Sequence, residues 1–261
     1  MTSEVETSSR VAKPTPRWRT IMLVAVGLLL IVGAAVTLWA AIPYGPMDEA
    51  ESALLSDAVA QVDESPYLTF TPRANQPEVG WIFYPGARVA PEAYAPAARA
   101  IAEEGFLAMV VRMPLNLAVL AANRADRIIE SHPEIEQWVI GGHSLGGAMA
   151  ARFALQSEEI DGLVLWAAYP AETDDLSQRP IPVTSIYASQ DGLATPAEVL
   201  ASASRLPPNA RFVEIDGGNH AQFGWYGPQP GDLPASVPRT AQQHAVVLAT
   251  VDLLQRLAEG P

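Results

Sequence analysis

At Trp138-Val139-Ile140-Gly141 an apolar run ends, and across Gly142-His143-Ser144-Leu145-Gly146 it gives way at once to Leu145–Gln156, which has the apolar spacing of a helix. A strand that becomes a helix within one or two residues restricts the architecture severely. The helix has to fold back over the sheet, so neighbouring strands run parallel and helices cover the faces. The chain past residue 57 repeats this alternation. Short apolar runs at 67–70, 80–84, 107–112, 138–141, 162–167, 183–188 and 211–215 read as strands. Amphipathic stretches at 91–104, 117–131, 145–156, 196–205 and 240–257 read as helices, the first stopped by Gly105 and the second by His132-Pro133. The expectation is one α/β domain with a central, mainly parallel sheet flanked by helices. Composition permits it: 49% of the 261 residues are hydrophobic and 17% charged, enough to bury a full core.

The pentapeptide Gly142-His143-Ser144-Leu145-Gly146 matches G-x-S-x-G, in which a serine takes a strained turn between strand and helix and flanking glycines let the two approach. A tight turn with a helix-capping serine is the plainer reading. A serine hydroxyl attacks nothing until a base removes its proton, so the catalytic reading demands a histidine and an orienting acid. The run 186–190 leads into Asp191-Gly192, and the run 212–215 leads through Asp216-Gly217-Gly218-Asn219 to His220. Ser144, Asp191 and His220 are therefore the expected nucleophile, acid and base. Taken singly, Asp191 also reads as an Asp-Gly turn and His220 as a solvated loop histidine. Glu172, Asp174 and Asp175 are rivals for the acid. His132 and His244 are expected to be structural or solvated, and His143 to pack or cap with its side chain turned away from the nucleophile. Backbone N–H groups of Leu145 and Ala87 are the expected donors to a developing oxyanion. Met113, Leu115, Phe223, Trp225 and Tyr226 are candidates for an acyl or alcohol pocket, and equally for core.

These segments, with Phe83-Tyr84-Pro85-Gly86, 91–96, 113–118 and 217–224, resemble the α/β-hydrolase superfamily, and within it a compact bacterial branch similar to dienelactone hydrolases. The resemblance covers roughly residue 57 to the C-terminus. It implies Ser144 as nucleophile, Asp191 as acid and His220 as base for ester hydrolysis, and the apolar pocket candidates suggest a small, fairly apolar ester. Dienelactone hydrolases proper use a cysteine nucleophile, and this chain has no cysteine. No long insertion follows 163–167, where many lipases carry a lid, so no large lid domain is expected. An acyltransferase with the same triad, or a tethered binding module that kept the fold, are the other readings.

Residues 21–42 carry no charge over 22 positions, which at 1.5 Å per helical residue matches a bilayer core. Four basic and two acidic residues precede the run, a net +2. The part beyond it, 43–261, has net charge −15. The positive-inside rule then puts the N-terminus in the cytoplasm and the catalytic domain outside, with the bilayer as a partner through 21–42. A cleaved signal peptide and a buried core helix are the alternatives. The expected organisation is a tail 1–20, a transmembrane helix 21–42, a juxtamembrane spacer 43–57 with one or two helical turns, and a catalytic domain 58–261. The whole chain has net charge −13, so no nucleic-acid partner is expected. With no cysteine there are no disulfides, thiolate zinc sites or iron–sulfur clusters. Nothing resembles a metal ligand set, and no cofactor is expected.

Overall fold

The computed structural model describes residues 17–260. In chain order the strands are β1 (Ala60–Asp63), β2 (Leu68–Pro72), β3 (Val79–Tyr84), β4 (Leu107–Val110), β5 (Gln137–His143), β6 (Gly162–Trp166), β7 (Val183–Ala188) and β8 (Arg211–Ile215). The helices are α1 (Arg17–Ala41), α2 (Asp48–Ser52), α3 (Ala95–Glu103), α4 (Arg124–Ser131), α5 (Leu145–Gln156), α6 (Pro196–Ala201) and α7 (Arg239–Ala258). The eight strands form one sheet in the order β1-β2-β4-β3-β5-β6-β7-β8. The pairs β1–β2 and β2–β4 are antiparallel and the other five pairs are parallel. The chain therefore folds as a mainly parallel sheet flanked by helices.

Strands β3 and β5 to β7 are buried on both faces, which is why they read as near-continuous apolar runs. Their side chains still alternate. Trp81, Phe83, Val139, Val164, Trp166 and Ile186 lie on the face covered by α3 and α7. Ile82, Tyr84, Ile140, Leu163 and Leu165 lie on the face covered by α4 and α5. Trp166 anchors the first layer: its ring centroid is 4.5 Å from that of Phe83, and its Nε1–H donates to Thr250 Oγ1 at 3.1 Å. The buried indole N–H thus has its partner on α7.

Two departures from the sequence reading bear on the site. The single helix expected over 117–131 is one short 3-10 turn, Ala118–Leu120, followed by α4, and a separate 3-10 turn, Pro114–Asn116, precedes it. Leu115 and Asn116 take φ values of 50° and 56°, which no helix accommodates. The stretch 43–57, read as a spacer with a helical turn or two, carries the short α2 as expected but lies along the domain. Tyr44 pairs with Val89 and Pro46 with Tyr226, and Ala50 is fully buried. Residues from Ala40 onward form one unit.

Within α1, Ile21–Ala41 is long and apolar enough to cross a membrane, a test that signal sequences near an N-terminus also pass. Residues 1–16, including Arg10 and Lys13 used for orientation, lie outside the described residues.

Candidate active site

Parallel register brings the candidate groups to one sheet edge. At their C-terminal ends Tyr84 of β3 lies beside Gly142 of β5, His143 beside Trp166 of β6, and Ala188 of β7 beside Ile215 of β8. The segments that hold Ala87, Ser144, Asp191 and His220 all leave from that edge.

Ser144 has φ 52° and ψ −125°, a conformation that costs a non-glycine residue on the order of 1–3 kcal/mol. The surroundings hold it there. Its N–H donates to the Trp166 carbonyl at 3.0 Å, and its carbonyl accepts from the Ala148 N–H at 3.1 Å. The flanking glycines are steric necessities: a Cβ on Gly142 would lie 2.5 Å from the Gly146 backbone, and one on Gly146 would strike the Tyr84 carbonyl.

Asp191 and His220 are in contact and almost completely buried, with Asp191 Oδ2 2.7 Å from His220 Nδ1. The other carboxylate oxygen, Oδ1, accepts from the N–H groups of Leu193 (2.8 Å) and Ala194 (2.7 Å). An ionised carboxylate only accepts, so the pair assigns the imidazole proton to Nδ1 and leaves Nε2 as a base. Nε2 is buried with no hydrogen-bond partner among the described residues. The Ser144 hydroxyl is not bonded to it, a separation common in enzymes without substrate.

The rival acids are engaged elsewhere or exposed. Asp174 pairs with Arg152 Nε at 3.0 Å, Asp175 accepts from the Ser177 N–H, and Glu172 is exposed. His132 bonds its own helix end through Ile128, and His244 lies in a groove between α3 and α7.

Around Ala87 the backbone donors are taken in a telling pattern. The Gly86 N–H donates to the Tyr94 hydroxyl at 3.0 Å and the Arg88 N–H to the Asn116 carbonyl at 2.8 Å. Ala87 between them, and Leu145 at the start of α5, have N–H groups with no acceptor among the described residues. The α5 N-terminus adds its positive dipole end beside Ser144.

A model of the alpha/beta hydrolase family matches residues 80–244, more than half of the chain. The chain belongs to the alpha/beta hydrolase family. No curated protein matches this sequence. Among solved structures, the esterase domain of a Rhodothermus marinus protein is similar at 13% identity and TM-score 0.52, over 76% of this chain and 95% of its own. Thermogutta terrifontis esterase 2 phosphonylated by cyclosarin gives 15% and 0.57, over 75% and 93%. The same esterase with butyrate bound gives 15% and 0.54, over 75% and 93%. At these identities the likeness is one of fold. Between β6 and β7, residues 167–182 of this alpha/beta hydrolase contain neither helix nor strand.

His143 packs, as expected, and its neighbour is the candidate base: the His143 and His220 ring centroids are 4.5 Å apart. Phe223 also stacks on His143, with ring centroids 5.6 Å apart. The Tyr94 hydroxyl, already accepting from Gly86, donates to His143 Nδ1 at 2.9 Å. Burial, and then the adjacent His220, hold His143 well below the usual imidazole range, so it is neutral. Burial likewise pushes the Tyr94 phenol up, keeping the O–H donor intact. Phe223 and Tyr226, candidates for both pocket and core, are fully buried beneath these rings. Trp225 faces the α3/α7 groove, with the Arg239 guanidinium 5.9 Å from its ring. Met113 is nearly buried and Leu115 is exposed, both after β4.

Two further residues shape the site. Asp232 Oδ1 accepts from the N–H groups of Gly192 (3.3 Å) and His220 (3.2 Å), while Oδ2 accepts from Ala221 (2.9 Å), so one carboxylate clasps the acid loop to the histidine loop. Gln242 of α7 is fully buried and bonds the Asn219 backbone twice, accepting its N–H at 3.0 Å and donating to its carbonyl at 2.7 Å.

The neutral His143 sets a pH dependence. An unfolded histidine titrates near pH 6.5. Above that neither state takes up the proton. Below it the unfolded chain does and the folded site does not, so stability falls as pH drops, with a limiting slope of about 1.4 kcal/mol per pH unit. His143→Asn keeps an acceptor for Tyr94 without the titration. Urea unfolding of the full chain in detergent at pH 5, 6 and 7.5 should show the stability gap between wild type and variant constant above pH 6.5 and narrowing below. Parallel curves would contradict a neutral buried His143.

Proposed function

We propose that this chain is a membrane-anchored serine hydrolase that cleaves small carboxylic esters through an acyl-enzyme. The observation that carries the reading is the buried Asp191–His220 pair, whose unpartnered Nε2 stands at the same sheet edge as the strained Ser144. Ser144 Oγ attacks the ester carbonyl while His220 Nε2 takes its proton. Asp191 stabilises the imidazolium through Nδ1–H. The N–H groups of Leu145 and Ala87 donate to the oxyanion. Collapse of the tetrahedral adduct breaks the bond to the alcohol, which leaves with the proton from His220. Water, deprotonated by the same nitrogen, then attacks the acyl-enzyme and releases the acid, restoring Ser144. Support from fold relatives is consistent: an esterase of this fold binds butyrate and is phosphonylated by cyclosarin, a reaction that requires an activated nucleophile. The uncharged Ile21–Ala41 stretch supplies the anchor.

The test is hydrolysis of 4-methylumbelliferyl acetate and butyrate by the detergent-solubilised full chain, followed by fluorescence and by release of the acid. Turnover well above the buffer rate is expected. A folded chain that turns over neither ester would contradict the reading.

A further inference from the structure

The residues that leave the apolar stretch bind at once to the loop that carries Ala87. The Ile42 carbonyl accepts from Arg88 Nε (3.2 Å) and Nη2 (2.8 Å). The Tyr44 N–H donates to the Arg88 carbonyl at 2.5 Å, and the Tyr44 carbonyl accepts from the Ala90 N–H at 3.0 Å. The Arg88 guanidinium lies 5.2 Å from the Tyr44 ring centroid. Asn116 Nδ2 donates to the Ala40 carbonyl at 3.2 Å. A free linker would add up to about 3.3 Å of reach per residue. Here there is none, because Ile42 immediately follows the apolar stretch Ile21–Ala41 and is already held.

The neighbouring loop carries a second, independent signal. Residues 113–122, Met-Pro-Leu-Asn-Leu-Ala-Val-Leu-Ala-Ala, contain no charge in a domain of net charge −15. Leu115, Val119 and Leu120 are 39%, 51% and 54% exposed. The turn Ala118–Leu120 packs on α5, the helix that begins immediately after Ser144. An exposed apolar turn on an acidic surface is costly in water and favourable at a bilayer interface.

We propose that the substrate is an amphiphilic acyl ester dissolved in the membrane, reaching Ser144 from the bilayer surface along the uncharged 113–122 loop. The inference rests on the Ser144 hydrolase and membrane-anchor readings above. Val119 and Leu120 enter the bilayer interface, and the loop that carries them leads to the start of α5 beside Ser144. Such an ester need not leave the bilayer to be cleaved, and its acid and alcohol products depart into the lipid or the water according to their own solubility.

The test compares the full chain and Val119→Asp/Leu120→Asp, both reconstituted in phosphatidylcholine vesicles. Two esters share one leaving group: 4-methylumbelliferyl acetate, which is water-soluble, and 4-methylumbelliferyl oleate, dissolved in the vesicles. Fluorophosphonate labelling of the variant checks that the site is still assembled. The expected result is a fall of ten-fold or more in kcat/KM for the oleate with the acetate changed less than two-fold. No change for either ester, or an equal fall for both, would overturn the proposal. Wild type that cleaves acetate but not oleate would overturn it while leaving the esterase reading intact. Failure of the chain to float with the vesicles would remove the anchor and the proposal together. Failure to cleave either ester would overturn the esterase reading itself.

Discussion

Ser144→Ala is expected to lower kcat for ester hydrolysis by a factor on the order of 10⁶. The hydroxyl is the only group in the proposed mechanism that forms the covalent bond, and the alanine methyl cannot replace it. The backbone bonds that hold residue 144, its N–H to Trp166 and its carbonyl to Ala148, involve no side-chain atom, so the fold survives the change. Residual activity should come from the Leu145 and Ala87 donors acting on water attack. Because the triad acts as a unit, adding His220→Ala to Ser144→Ala should cost almost nothing further, a non-additivity that initial rates on a soluble ester will show. Additive losses would mean that His220 serves some step without Ser144.

Asp191→Asn is expected to lower kcat by about 10⁴ with little loss of stability. The geometry determines which way the amide lies. Oδ1 already accepts from the Leu193 and Ala194 N–H groups, so the amide oxygen stays there and the NH₂ faces His220 Nδ1. An NH₂ donates, which forces Nδ1 to accept and moves the imidazole proton to Nε2. The nitrogen facing the serine would then be a donor and could not serve as the base. A loss below ten-fold would mean that Asp191 does not set the tautomer.

Much of this architecture is legible because buried parallel strands leave continuous apolar runs. Val183–Ala188, Arg211–Ile215 and Leu145–Gln156 have the same bounds in the sequence reading and in the structure. β1 escaped because an edge strand of four residues with one buried side chain has almost no pattern to read. The stretch 117–131 kept helical spacing through Leu117, Leu120 and Ala121, yet tertiary bonds won: the Asn116 carbonyl is held by Arg88 and its side chain by Ala40. Gln242 left a trace, as a polar residue in register with the apolar Val246, Ala249 and Leu253 of α7. Asp232 left none. Its clasp joins Gly192, His220 and Ala221, positions 40, 12 and 11 residues away, through loops whose approach no local pattern encodes. The packing of His143 was legible but its partner was not, for a related reason: only the fold brings the histidine loop after β8 against the end of β5.

The most direct measurement is fluorophosphonate labelling of the detergent-solubilised full chain, with the adduct located by mass spectrometry. A single adduct on Ser144 is predicted, absent in Ser144→Ala and formed much more slowly in Asp191→Asn and His220→Ala. An adduct on another residue, or no adduct in a chain whose folding has been verified by circular dichroism, would contradict the activated serine on which the account depends.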